Sequence, residues 1–177
     1  LTAIQLLWLN LVTDGAPALA LGSEKGDPDI MQYPPRPPDE PIINRSMLTG
    51  IIVQTIAISA ATLSAFAIGR EIDLDLAETM AFVTLSVSEL LRAYTARSEN
   101  VTVFKIGVFS NPVMNWAVLA SLVLIIAVVY VPFLQPIFNT TAIDLTHWLM
   151  ILPLILLPSI VAELSKVLIT RRKPKAE

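Results

Sequence analysis

The sequence has no cysteine, so a disulfide framework and a thiolate metal site are both excluded. It has one histidine, His147. Charge is scarce, at 15% of residues, and the formal net charge is only −3, so nothing points to a nucleic-acid partner. The chain starts at Leu1 inside an apolar run, with no basic segment ahead of it. A signal peptide does not fit that start, which reads as a cut through a longer protein. No internal repeat is visible.

What is present is apolar. Hydrophobic residues make up 54% of the 177, and mean hydropathy is +0.67. The few charges gather at 24–45, 70–78, 97–105 and 171–177, and the stretches between are nearly bare. That is the layout of membrane spans and their loops. A spanning helix needs roughly 20 mostly apolar residues. Five segments qualify, at about 1–22, 47–69, 77–96, 113–131 and 147–170. The expected fold is an all-α integral membrane bundle of five transmembrane helices. The third segment is the least apolar and contains Glu89. The fifth contains Pro153 and Pro158, both able to kink it.

Lys and Arg set the orientation. Loop 23–46 holds Lys25, Arg36 and Arg45; loop 97–112 holds Arg97 and Lys105; the tail holds Arg171, Arg172, Lys173 and Lys175. The opposite loops hold Arg70 alone. Loop 23–46 and the C-terminus are therefore expected in the cytoplasm, with the lipid membrane as a constant partner and the basic tail beside anionic headgroups. Loop 23–46 has five prolines between Pro28 and Pro38, and Pro41 follows. Proline fixes φ and removes a donor, so this loop is expected to be stiff and extended, suited to docking on another domain.

The first segment carries the chemistry. In LTAIQLLWLNLVTDGAPALALG, Asn10, Thr13 and Asp14 stand at i, i+3 and i+4, and so share one face of an α-helix. An aspartate in a span costs about 2.5–3.5 kcal/mol on insertion scales, and such residues usually mark ion or substrate pathways. Pro17 removes the N–H that would satisfy the Thr13 carbonyl, and Gly15 eases departure from helical geometry. The helix is expected to be locally unwound near Gly15 and Pro17. Non-helical backbone at membrane depth survives only where it is buried or lines a cavity. A carboxylate, an amide oxygen, a hydroxyl and a freed carbonyl suit Ca²⁺, Mg²⁺ or Na⁺ rather than zinc. The alternative is a proline-kinked helix whose Asp14 pairs with a basic neighbour.

Glu89 is the second carboxylate within a span. Either it pairs with Arg92, three residues on, or it faces the same cavity as Asp14. In the second case it would take a proton when the metal leaves, making proton counter-transport natural. The remaining polar residues read more simply. His147, beside Trp148, and Trp116 fit interfacial anchoring. Gln54, Thr55 and Ser59 fit helix–helix hydrogen bonds. Glu71, Asp73, Asp75 and Glu78 fit a solvated acidic turn. Asn139-Thr-Thr is a glycosylation sequon on an outer loop.

The run from Leu6 to Gly22, with its N-L-V-T-D-G-x-P core, resembles the sixth transmembrane helix of P-type ATPases of the calcium-pump class. DPDIM and PPRPPDEPII resemble the loop after that helix. SELLRAYTARSEN resembles the eighth helix and its exit, and AIDLTHWLMILPLILLPSIVAELSK resembles the last span. The resemblance implies helices six to ten of such a pump. It implies that Asn10, Thr13 and Asp14 coordinate calcium, with Asp14 bridging two ions in the sarcoplasmic-reticulum type, and that Glu89 joins one site. It implies that the Asp27/Asp29 loop docks on the phosphorylation domain. The D-K-T-G-T motif, the nucleotide-binding domain and helices four and five are not in this chain. The implied partners are thus the remaining helices and cytoplasmic domains of a parent pump, which would handle ATP and Mg²⁺. Arg92 departs from the sarcoplasmic-reticulum type, which is neutral there. It favours a single-calcium cycle of the secretory-pathway and bacterial type. Rival readings are a P-type pump for Mn²⁺ or Na⁺, and a freestanding membrane protein without catalysis.

Overall fold

The computed structural model describes residues 1–26, 39, 41–43, 45–98 and 101–170. Asp27, Asp29 and the basic tail lie outside the described residues. Regular structure among the described residues is entirely helical. The first span comprises α1 (Ala3–Trp8), a π-helical segment (Leu9–Asp14) and α2 (Gly15–Leu21). It is followed by α3 (Arg45–Arg70), α4 (Leu74–Thr95), α5 (Val103–Ile106), α6 (Pro112–Tyr130), α7 (Gln135–Phe138) and α8 (Leu145–Thr170).

Ala3–Leu21, Met47–Arg70, Pro112–Tyr130 and Leu145–Val167 are each long and apolar enough to cross a membrane. α4 has the length, at 22 residues, but carries Asp75, Glu78, Glu89 and Arg92. Its position makes that tolerable. α4 packs against α3, α8, α6 and the π segment. Its hydroxyls are hidden within the bundle and mostly bonded. Thr79 Oγ1 donates to the Asp75 carbonyl at 2.8 Å, Ser86 Oγ to Phe82 at 2.7 Å, and Ser88 Oγ to Ile155 of α8 at 3.2 Å. In lipid, hydrogen bonds and close packing hold helices together, because the tails are as apolar as leucine.

Close packing is visible in α3. Ala57, Ala61, Ala65 and Gly69 recur every fourth residue, and all four are buried. A Cβ on Gly69 would stand 2.6 Å from the Ala77 Cα, so only glycine lets α3 and α4 meet there. The turn between them ends on Asp73, whose Oδ2 accepts from the N–H groups of Asp75 (3.1 Å) and Leu76 (3.3 Å). That is an N-cap, so this carboxylate of the acidic turn serves helix initiation. The core joins Met80, Phe82 and Leu90 of α4 to Ile125 and Val128 of α6 and Ile151 and Ile155 of α8. α8 runs without a break through Pro153 and Pro158.

Candidate cation site

The first span is held at three points along its length. Near its start, Thr2 and Gln5 form a reciprocal capping box. The buried Gln5 amide also donates to the Phe138 carbonyl at 2.8 Å. Trp8 meets the Phe138 ring edge-on, at 4.9 Å between centroids. At mid-span, Ser121 Oγ of α6 donates to the Val12 carbonyl at 2.6 Å. In π register a carbonyl bonds the N–H five residues on. For Val12 that residue is Pro17, which has none, so the hydroxyl from α6 supplies the missing donor. The irregularity expected at Gly15 and Pro17 therefore lies one turn earlier. Gly15 itself is helical, with φ −62° and ψ −56°.

The π turn changes which residues share a surface. Asn10 and Asp14 are exposed on the open side of the span. Thr13 is buried, at 2% exposure, and its Oγ1 has no hydrogen-bond partner. The wider turn thus separates the hydroxyl from the amide and the carboxylate, which a regular α-helix would place together. Glu89 pairs with Arg92, at 2.8 Å between Oε2 and Nε. Glu89 thus follows the pairing expectation, and its charge and that of Arg92 both reach Asp14. Two carboxylates and a guanidinium therefore share one neighbourhood, with the Asn10 amide one turn from Asp14.

Calcium takes six to eight oxygen ligands. Among the described residues no three His, Cys, Asp or Glu side chains are grouped to hold a metal. Oxygen donors of this kind suit a hard cation, and those described here would fill only part of its shell. His147 is engaged elsewhere. Its Nδ1 lies 2.5 Å from Asp144 Oδ1, and its backbone N–H donates to the same oxygen at 2.9 Å. That backbone bond, helped by the imidazole, holds the Asp144 carboxyl below its ordinary range. Asn139 is exposed in left-handed geometry, φ 51°, at the end of α7.

At the other end of the span is a cluster of polar residues, of which only Arg97 bears on orientation by its charge. Arg97, just past α4, meets Glu24, just past α2, through two parallel bonds of 2.8 Å. Asn111 Nδ2 donates to Glu24 Oε2 at 2.8 Å and to the Ala20 carbonyl at 3.3 Å. The Arg97 contact foremost, with the Asn111 bond, pulls the Glu24 carboxyl below its ordinary range against a smaller opposing effect of burial. A second buried pair lies nearby. Lys166 Nζ bonds Glu163 Oε1 at 2.9 Å and the Thr95 carbonyl at the end of α4. Gln5 was findable from sequence, as the polar residue of a T-x-x-Q capping box in an apolar run. Glu24 and Arg97 carry no such local signal.

Comparison with known proteins places these features in a family. Residues 1–168 match the family model described as "Cation transporting ATPase, C-terminus". The chain is 38% identical over 176 residues to a calcium-transporting ATPase of Bacillus subtilis, covering 98% of this chain and 19% of that protein. It is 38% identical over 154 residues to calcium-transporting ATPase 1 of Schizosaccharomyces pombe, covering 86% of this chain and 17% of the relative. It is 35% identical over 170 residues to the human calcium-transporting ATPase type 2C member 1, covering 94% and 18%. The chain thus spans about a fifth of the length of the curated relatives it matches. With a Leu9–Asp14 π turn that exposes Asn10 and Asp14 beside a Glu89–Arg92 pair, this helical bundle belongs to the family of cation-transporting ATPase C-terminal regions.

Proposed function

We propose that the chain works as the C-terminal membrane part of an ATP-driven calcium pump and supplies part of its transport site. The observation that carries this reading is Asp14, a carboxylate on the open face of a membrane-spanning helix, beside the Glu89–Arg92 pair. An intramembrane carboxylate is costly unless it has a use. Asn10, Asp14 and Glu89 act as oxygen ligands to Ca²⁺. Thr13 joins them only if the π turn rewinds toward α geometry, which would bring its hydroxyl round to their face. The remaining ligands come from helices outside this chain. ATP and Mg²⁺ are handled by the parent's cytoplasmic domains, and the loop holding Asp27 and Asp29 carries their motion to the membrane.

The test is Asp14→Asn in the intact pump. Losing one charged ligand should abolish calcium-dependent phosphorylation from ATP. Phosphorylation at unchanged calcium concentration in that variant would remove Asp14 from the site. Competition by Mn²⁺ and Na⁺ for calcium-activated ATP hydrolysis separates the cations. Arg92 bears on stoichiometry. A guanidinium paired with Glu89 through Oε2 offsets part of that carboxylate's charge and fills space a second ion would need. One calcium per ATP is therefore expected in reconstituted vesicles, and a ratio of two would overturn this role of Arg92.

A further inference from the structure

The Arg97–Glu24 contact is more fully built than a chance pairing. A guanidinium has five N–H donors. Nε donates to Glu24 Oε2 and Nη2 to Glu24 Oε1, both at 2.8 Å. Nη2 also donates to Ser110 Oγ at 2.5 Å. Nη1 donates to the carbonyls of Gly107 (2.9 Å) and Val108 (3.2 Å). The Arg97 side chain is 0% exposed and that of Glu24 is 13% exposed. Gly107, at φ 90°, takes a backbone geometry that favours glycine and presents its carbonyl to the guanidinium. Asn111 then ties Glu24 and the Ala20 carbonyl to α6, because its Oδ1 caps that helix at the Met114 N–H. The end of the first span, the exit of α4 and the entry of α6 therefore meet in one polar cluster.

The cluster sits at a telling level. The first span and α4 run the same way through the bundle. Glu24 is ten positions beyond Asp14, and Arg97 is eight beyond Glu89. At about 1.5 Å per residue these are offsets of roughly 15 and 12 Å. Glu24–Arg97 thus bonds together the two helices that carry Asp14 and Glu89, which pack on one another. A slide of either helix by one residue breaks that bond and shifts Asp14 relative to Glu89.

We infer that Glu24 and Arg97 are positioning residues that fix the sliding register of the first span against α4, and so set the geometry in which Asp14 and Glu89 meet a cation. In its functional arm this rests on the calcium-pump reading. The pair touches no ion and acts through the helices. Breaking it should weaken cation affinity by about tenfold, within the range for residues that act on a site through intervening structure.

The test is a cycle of Glu24→Gln, Arg97→Gln and the double variant in the intact pump. Calcium concentration for half-maximal phosphorylation is read beside the phosphoenzyme level at saturating calcium. The expected result is a tenfold or greater rise in the former in each single variant, with the double variant no worse than either. Loss of phosphoenzyme without any change in calcium dependence means a merely structural role and overturns the inference. A second measurement does not depend on the pump reading. The chain has no cysteine, so, with any cysteines elsewhere in the pump replaced, spin labels can be placed at Leu19→Cys on α2 and Ala96→Cys at the C-cap of α4, both exposed. In lipid nanodiscs the distance between labels should shift or broaden when Glu24 becomes Gln. An unchanged distribution sinks the register role even if the protein transports no calcium. Absence of calcium-dependent phosphorylation in the unmutated protein, with the label distance still responding, removes the pump reading and leaves the register role standing.

Discussion

At the residue scale, Glu24 makes a pH prediction whose sign follows from its partners. Its folded carboxyl titrates below its ordinary value, chiefly because Arg97 donates to it. A depressed carboxylate adds stability that is complete above the unfolded value, about 4.3 for glutamate, and is lost as pH falls through the lower folded value. Thermal stability in detergent should therefore fall in that acid window for the parent chain. Glu24→Gln should flatten this part of the profile, and an identical acid limb in both proteins would show that Glu24 does not carry it. Gln5 is the neutral counterpart. Its amide is fully buried and bonds the Phe138 carbonyl. Gln5→Leu leaves that carbonyl unpaired, so a loss of about 1–3 kcal/mol is expected in denaturant unfolding. What was legible at this scale follows from spacing along one helix. Asn10 and Asp14 stand out because a polar cluster beside Gly-x-Pro in an apolar run is conspicuous by itself. Glu24 and Arg97 are 73 positions apart, and no periodicity links them.

At the element scale, the first span shows how far a local argument reaches. Pro17 guarantees that a carbonyl in the preceding turn lacks its usual donor, and that was readable. Which carbonyl it is depends on whether the turn is α or π. The Ser121 hydroxyl, 109 positions away, bonds Val12, the carbonyl whose π partner would be Pro17. A contact so distant leaves no trace in the helix's own sequence. The same holds for Thr13, which α-spacing sets beside Asn10 and the π turn buries. In α3, the stripe Ala57, Ala61, Ala65 and Gly69 has the opposite character, because its four-residue period is plain in the sequence and its burial follows from it. Small side chains there let α3 approach α4 and α8 closely. Ala61→Leu forces extra volume into that seam and should cost about 1–3 kcal/mol, as overpacking of tight interiors does. Ala60→Leu, one position round on an exposed face, is the control and should leave stability nearly unchanged.

At the scale of the whole molecule, the bundle has one polar end joining its site-bearing helices and an apolar flank fit for lipid. Leu63 and Leu149 are each more than 60% exposed, which suits a bilayer rather than water as solvent. The number and order of long helices were legible because lipid demands runs of fixed length. α4 was harder, since its carboxylates and hydroxyls lower its apolar character and only the surrounding helices explain why they are tolerated. Orientation in the bilayer decides which side of the membrane the Glu24–Arg97 cluster serves. Basic residues collect where the Glu24–Arg97 cluster lies, with Lys25, Lys105 and Lys166 near the same helix ends, so the positive-inside rule predicts a cytoplasmic location for that end. Because the chain lacks cysteine, single introduced thiols can report on it directly. Ile72→Cys lies in the α3–α4 turn and Phe104→Cys in α5, and both positions are well exposed, at 60% and 79%. In sealed vesicles with the outer face outward, a membrane-impermeant maleimide should label Ile72→Cys at once and Phe104→Cys only after permeabilisation. The reverse pattern would put the Glu24–Arg97 cluster on the outer face. It would then brace the exit side of the cation path, and its loss should slow calcium release rather than weaken calcium capture.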